Sequence, residues 1–161
     1  MIVVTDTSVV LNLCALQQER LLADLFGCVL APPAVMEEFE RLASVDQRFA
    51  GLTFPVFVQL SAATQIDPSL VLNQRLHQGE REALSLAAEL GADAVLMDER
   101  AGRAAASSLG LSSIGVLGIL VQAKTLGLLP AIKPLLERLH HQARFWIAPA
   151  LIQQVLESVG E

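Results

Sequence analysis

The acidic residues of this chain fall where short apolar runs end. Asp6 closes Ile2-Val3-Val4-Thr5 and precedes the hydroxyls of Thr7 and Ser8, and Asp98 closes Val95-Leu96-Met97 in the same way. Such short β-branched and aliphatic runs read as buried strands. An acid directly after a strand lies at the sheet edge where α/β proteins bind ligands. Glu37 and Glu38 fall about one turn into a segment opened by Pro32-Pro33, and Glu80 and Glu82 follow Gly79 in the first turn of another. Singly, each acid has an ordinary explanation: Asp caps helices, and Glu in a first turn complements the helix dipole. Capping alone does not require several acids to converge on one edge. Carboxylates held close together repel unless protons or cations neutralise them. Mg²⁺ or Mn²⁺, held by one or two carboxylates with water and phosphate, suits such a set. His and Cys are absent from these positions, which argues against zinc.

The elements that must position these acids alternate. Strands are expected at residues 2–5, Cys28–Ala31, Val56–Leu60, Val95–Met97 and Ser113–Ile114. Between them the apolar spacing predicts helices at Ser8–Leu16, Glu19–Phe26, Pro33 to about Ala43, Asp67 to about Leu76, Glu80–Leu90 and Glu99–Leu109. Ser44–Pro55 reads as a loop, and helices near 116–126, 131–142 and 149–158 finish the chain. Strands alternating with helices give βαβ units with right-handed crossovers. The expected fold is α/β: a three-layer α/β/α sandwich with a mostly parallel sheet of about five strands and a C-terminal helical extension. A single domain is expected over 1–161, with the sheet core in about 1–128 and C-terminal helices in about 129–161.

Composition bounds the function classes. The apolar share is 53% and mean hydropathy is +0.50, yet every apolar run is broken well short of the roughly 20 residues a bilayer needs. No basic leader or cleavable segment is evident before the first strand, so no membrane partner is expected. Cys14 and Cys28 lack zinc or redox spacing and read as buried free thiols in a reducing cytosol, hence a cytoplasmic location. The net charge of −6 argues against a surface covered in phosphate-binding residues but not against a nuclease, whose metal site is itself acidic. So apolar a composition also implies surface covered by another subunit, a homo-oligomer of two or more copies.

Taken together these segments resemble the PIN-domain superfamily, metal-dependent ribonucleases that include VapC-type toxins of toxin–antitoxin pairs, and look closest to a bacterial branch of PIN-like proteins. VVTDTSVVLNL is like the family's opening strand, acid and hydroxyl pair, and PPAVMEEFE resembles its second-acid segment. GEREALSLAAELGADAVLMDERAGRAAASSLGL resembles the third and fourth, and IGVLGILVQAKTLGLLP the tail of that branch. The resemblance covers nearly the whole chain. It implies Asp6 as first acid, supported by Ser8. Glu38, followed by Phe39, fits the second acid better than Glu37 does. Glu82-Ala83-Leu84 is similar to the acid-Ala-aliphatic signature of the third acid, with Glu80 the runner-up. Asp98 fits the fourth acid, and Glu99 is close enough to share or replace it. The catalytic set so implied is Asp6, Glu38, Glu82, Asp98 and Ser8, and the metal ligands are Asp6, Glu82, Asp98 and Glu99.

If the resemblance holds, Mg²⁺ or Mn²⁺ would activate water and stabilise charge on phosphorus-bound oxygens. The substrate would be single-stranded or looped RNA, and an antitoxin protein would cover the cleft. Arg100 and Arg103 follow the Asp98 strand end and are candidate phosphate contacts, with Lys124 further on. The alternative function is a catalytically weak PIN-like nucleic-acid-binding or regulatory subunit. The remaining motifs read as structural. His140-His141 are consecutive and face different sides of a helix, His77 flanks the helix after it, and Phe145-Trp146 are expected to pack the last helices. Gly115 and Gly118 make only a weak phosphate loop, explained as well by close packing on the sheet. A phosphoacceptor domain needs a lysine after a late strand, and Ser113–Val116 has none.

Overall fold

In the computed structural model, which describes residues 1–161, β-branched and aliphatic runs form five parallel strands. They are β1 (Ile2–Thr5), β2 (Cys28–Ala31), β3 (Val58–Leu60), β4 (Ala94–Leu96) and β5 (Ser113–Ile114), in the order β3-β2-β1-β4-β5. The helices are α1 (Thr7–Ala15), α2 (Leu21–Phe26), α3 (Pro33–Val45), α4 (Pro68–Val71), α5 (Gln78–Leu90), α6 (Arg100–Ser108), α7 (Val116–Thr125), α8 (Lys133–His141) and α9 (Pro149–Ser158).

The two-residue period of a strand divides the core into two layers. Val3, Val29 and Leu96 point into a cluster shared with α1, α2, α3, α7 and α8. Val4, Val95 and Met97 point the other way, into a cluster completed by α5 and α6. The result is the expected α/β/α sandwich. Because β1 is the central strand and is buried on both faces, its last residues are held from every side.

Four local expectations are corrected. β3 starts at Val58 rather than Val56, whose side chain is fully exposed. The interval after α3 is not all loop: α3 runs on to Val45, and Asp46 caps a 3₁₀ turn over Gln47–Phe49 by accepting from Arg48 N at 3.0 Å. α4 ends at Val71, short of Leu76, where the Asn73 side chain accepts from Arg75 N at 3.1 Å and makes a turn that competes with helix. Cys14 is buried as expected, but Cys28, the first residue of β2, is exposed. Leu135, Leu136 and Leu139 of α8 tie the C-terminal helical extension to the larger core. No helix is long and apolar enough to cross a membrane.

Candidate metal centre

Parallel pairing brings the first and fourth acids to one rim. Thr5 of β1 stands in register with Leu96 of β4, and Asp6 N donates to Leu96 O at 3.0 Å. Asp6 and Asp98 therefore leave adjacent strands at the same edge. Asp6 is also the N-cap of α1: its Oδ1 accepts from Val9 N at 3.0 Å, and Ser8 Oγ donates to both carboxylate oxygens at 3.1 and 3.2 Å. Asp6 is only 2% exposed, and burial pushes its carboxyl well above the usual range. The Val9 and Ser8 donors oppose that rise, while the charges of Asp98 and Glu80 add to it.

Asp98 is fixed from the opposite side. Its Oδ1 accepts from Val116 N at 3.1 Å, the first residue of α7, and its Oδ2 is buried with no hydrogen-bond partner. Burial raises this carboxyl to about 6, against the lowering pull of the Val116 N–H and the Arg103 guanidinium. Gly115 makes the arrangement possible. A Cβ there would overlap Asp98 Oδ1 and lie 3.3 Å from Arg103 Nη1.

The second and third acids arrive on helices. Glu38 lies within α3, and its Oε2 accepts from Thr7 Oγ1 at 3.0 Å. Gly79 leaves room for that carboxylate, since a Cβ on it would stand 2.9 Å from Glu38 Oε2. Glu80 is 6% exposed near the start of α5, with Oε2 accepting from His77 N at 3.0 Å. Burial raises its carboxyl too, His77 opposes the rise, and Glu99 and Glu38 reinforce it.

Asp6, Thr7, Ser8, Glu38, His77, Glu80 and Glu99 line one cleft of about 110 Å³, which no Lys or Arg enters. Glu82 is not among them. It lines a separate pocket of about 200 Å³ with Pro32, Pro33, Thr64 and Ile66. Residues two apart on a helix point about 200° from one another, so α5 can aim only one of the pair at the rim. Glu80, the runner-up for the third acid, is thus the one that lines the cleft, while Glu82 faces the separate pocket with its Oε2 buried and without a hydrogen-bond partner. Glu37 is exposed and lies outside the cleft, in a shallow depression with Ala34, Arg41 and Gln78. Glu99, at the N-terminal end of α6, lines this cleft and the larger one that contains Asp98.

The larger cleft, about 430 Å³, shares Thr7, Ser8, Glu38 and Glu99 with the first and extends past Asp98 to Arg48, Arg100, Arg144, Phe145 and Trp146. Arg100 thus lines the same cleft as Asp98. Arg103 instead lies beside the Asp98 carboxylate, and Lys124 donates to Pro130 O at 2.5 Å, away from the acids. Phe145 is half-buried against the core as expected, whereas Trp146 is exposed rather than packed. Thr7, Gly79, Gly115, Arg48 and Arg144 were not singled out for this role by the sequence. The glycines beside acid-bearing segments were the available signal.

The carboxylates converge without closing. No three Asp, Glu, His or Cys side chains are placed to enclose a metal ion. The donor set still suits a hard cation held by one or two carboxylates with bridging water. Its oxygens are acidic, several are desolvated, Asp98 Oδ2 is unsatisfied, and no Lys or Arg enters the smaller cleft.

This geometry is joined by a match over almost the whole chain: the sequence profile of the family DUF3368, described as a PIN domain, covers residues 2–161. The chain belongs to the PIN-domain family. A solved structure shares the fold: a PilT N-terminus domain protein from the hyperthermophilic archaeon Sulfolobus solfataricus P2. It is 17% identical with a TM-score of 0.51, over 76% of this chain and 92% of that one. No curated protein matches the chain significantly. PIN domains form a nuclease-like superfamily that generally uses divalent metal ions, and the acids this PIN domain brings to the rim are Asp6 and Asp98 at adjacent strand ends, with Glu38, Glu80 and Glu99 beside Asp6 in the smaller cleft.

Proposed function

We propose that this PIN domain is a metal-dependent endoribonuclease using Mg²⁺ or Mn²⁺, acting as the toxin of a toxin–antitoxin pair on single-stranded or looped RNA. The observation that carries the reading is the buried carboxylate of Asp6, which shares a sheet rim with Asp98 and lines, with Glu38, Glu80 and Glu99, a cleft that no Lys or Arg enters. Leaving such a set uncompensated is costly, and a divalent ion with its waters relieves it. When bound, that ion would supply charge neutralisation and an acidified water for attack at phosphorus.

The chain's own residues have distinct parts. Asp6, oriented by Ser8 and the Val9 N–H, presents a carboxylate in one rotamer. Asp98 offers Oδ2 while its Oδ1 stays engaged with Val116 N. Glu80 is steadied by the His77 N–H, and Glu38 by Thr7, which leaves their free oxygens to orient water. Arg100 stands at the cleft edge to meet a phosphate, and Arg103 tempers the charge of Asp98.

The second reading is a catalytically weak PIN-like subunit that binds RNA without cutting it. It is favoured by the open spacing of the carboxylates, no three of which enclose an ion. Incubating the purified chain with mixed RNA, with and without Mn²⁺, beside Asp6→Asn separates the two. Mn²⁺-dependent cleavage lost in the variant supports the nuclease. RNA retention without cleavage supports the subunit, and equal cleavage by both proteins reveals a contaminant. Oligomerisation belongs to the same proposal: the edge strand β3 exposes Leu60, and Val56 precedes it fully exposed.

A further inference from the structure

Beyond the acids, the larger cleft has an end that metal chemistry does not use. It is bounded by the segment after α8, where Arg144 adopts the left-handed backbone at φ +52°. For a non-glycine residue that conformation is uncommon and carries strain. The segment is held in place regardless: Arg48 Nη1 donates to Ala143 O at 3.2 Å, and Phe145 N to Leu139 O at 2.9 Å. Arg48 is itself fixed by Asp46 at 2.6 Å and stacks over Phe49 at 5.0 Å. Ala143 and Ile147 turn inward to the core, and Trp146 between them is left 72% exposed on the cleft wall. Arg100 and Arg144 line the same space, and neither is in an ion pair.

We propose that Trp146 is a stacking platform for an unpaired base, with Arg100 and Arg144 contacting the phosphates on either side of it. The ligand is single-stranded nucleic acid, lying with one nucleotide on the indole and the next phosphate at the Asp6–Asp98 rim. A cavity of about 430 Å³ falls in the range of small-ligand pockets. Only an unpaired strand presents a base face to such a ring, and stacking with nearby guanidiniums is the usual way such strands are held without sequence reading. A basic peptide would suit the acids but be repelled by Arg100 and Arg144, so the polyanion fits both ends better. The inference rests on the nuclease reading for the course of the strand, and its test is independent of cleavage.

Trp146 is the sole tryptophan, so its fluorescence reports directly on the ring. In Asp6→Asn, where no bond is cut, hexauridine is expected to quench that emission saturably, and a hexamer lacking bases is not. Fluorescence anisotropy of labelled hexauridine is expected to show about tenfold weaker binding to Trp146→Ala, and Trp146→Phe within about threefold of the parent. The exposed position makes both substitutions tolerable to the fold. Binding without quenching, equal quenching by the base-free hexamer, or unchanged affinity in Trp146→Ala would each overturn the proposal. So would quenching by a basic peptide but not by hexauridine, which would give the ring to a protein partner. Cleavage by the wild-type chain that persists alongside any of these results leaves the nuclease reading standing by itself.

Discussion

The two ends of the cleft are built in opposite ways. At the acid end, the carboxylates of Asp6, Glu38, Glu80 and Asp98 are held by backbone and hydroxyl groups. Val9, His77 and Val116 donate their N–H groups to Asp6, Glu80 and Asp98. At the basic and aromatic end, one long-range link, Arg48 to Ala143 O, ties a strained segment across the molecule. The first end is rigid because the sheet is rigid. The second depends on a few contacts around an exposed ring. Charge chemistry that needs exact spacing sits on the scaffold, and surface that must accommodate a varied ligand sits on the strap.

The largest effect should come from separating the paired acids of α5. Glu80→Gln is expected to lower Mn²⁺-dependent RNA cleavage by about 10²-fold, since a carboxylate at the ion contributes several kcal/mol to charge stabilisation. Glu82→Gln, facing the other pocket, should stay within about twofold. The reverse ranking in a single-turnover assay would make Glu82 the third acid.

Next in size is Gly115→Ala. Its methyl group would take the space of Asp98 Oδ1 and push that carboxylate off Val116 N. Cleavage should fall about 10–100-fold, as for other losses of ligand orientation. The far-UV spectrum should remain native. Activity at the wild-type level would mean that Asp98 does not need its present orientation.

These two positions also mark what was readable in the chain. The apolar strands, their parallel alternation with helices and the rim positions of Asp6 and Asp98 follow from period and punctuation alone. The likeness of Glu82-Ala83-Leu84 to a family signature points to Glu82 rather than Glu80. Helix rotation decides which of the two faces the rim, and the phase of α5 against the sheet is set by packing of Ala83, Leu84 and Ala87. Trp146 was hidden for a different reason. An aromatic pair beside a helix end reads as packing, and only the left-handed turn at Arg144 and the bond from Arg48, 95 residues away, turn one ring in and the other out. Cys28 shows the same limit, because a strand's first residue can sit at an open end of the sheet.

A smaller effect isolates the strap. Arg48→Ala removes the bond to Ala143 and is expected to destabilise the fold by about 1 kcal/mol, a fall in Tm of roughly 2–4 °C. Mn²⁺ affinity should be unchanged while hexauridine binds more weakly. Equal loss of both would show that the two ends are not independent.

The acid cluster also sets a pH dependence. Asp98 has its carboxyl raised from 3.8 to about 6, and Asp6 is raised as well. A carboxyl raised by folding holds its proton more tightly in the native state. Its stabilisation is therefore present below the unfolded value and is lost as pH rises through the folded one. The metal-free chain should lose Tm between about pH 4 and pH 6, and Mn²⁺, which needs the ionised form, should restore it above pH 6.

Calorimetric titration of Mn²⁺ into the purified chain, at pH 7.5 and pH 5, beside Asp6→Asn, tests the central claim most directly. Asparagine keeps the helix cap, so the variant retains the fold while losing the charge. The expected result is saturable binding at pH 7.5 that weakens by about tenfold or more at pH 5 and in the variant. Binding of equal strength in all three titrations, or none to the wild-type chain at pH 7.5, would contradict a metal centre at this rim.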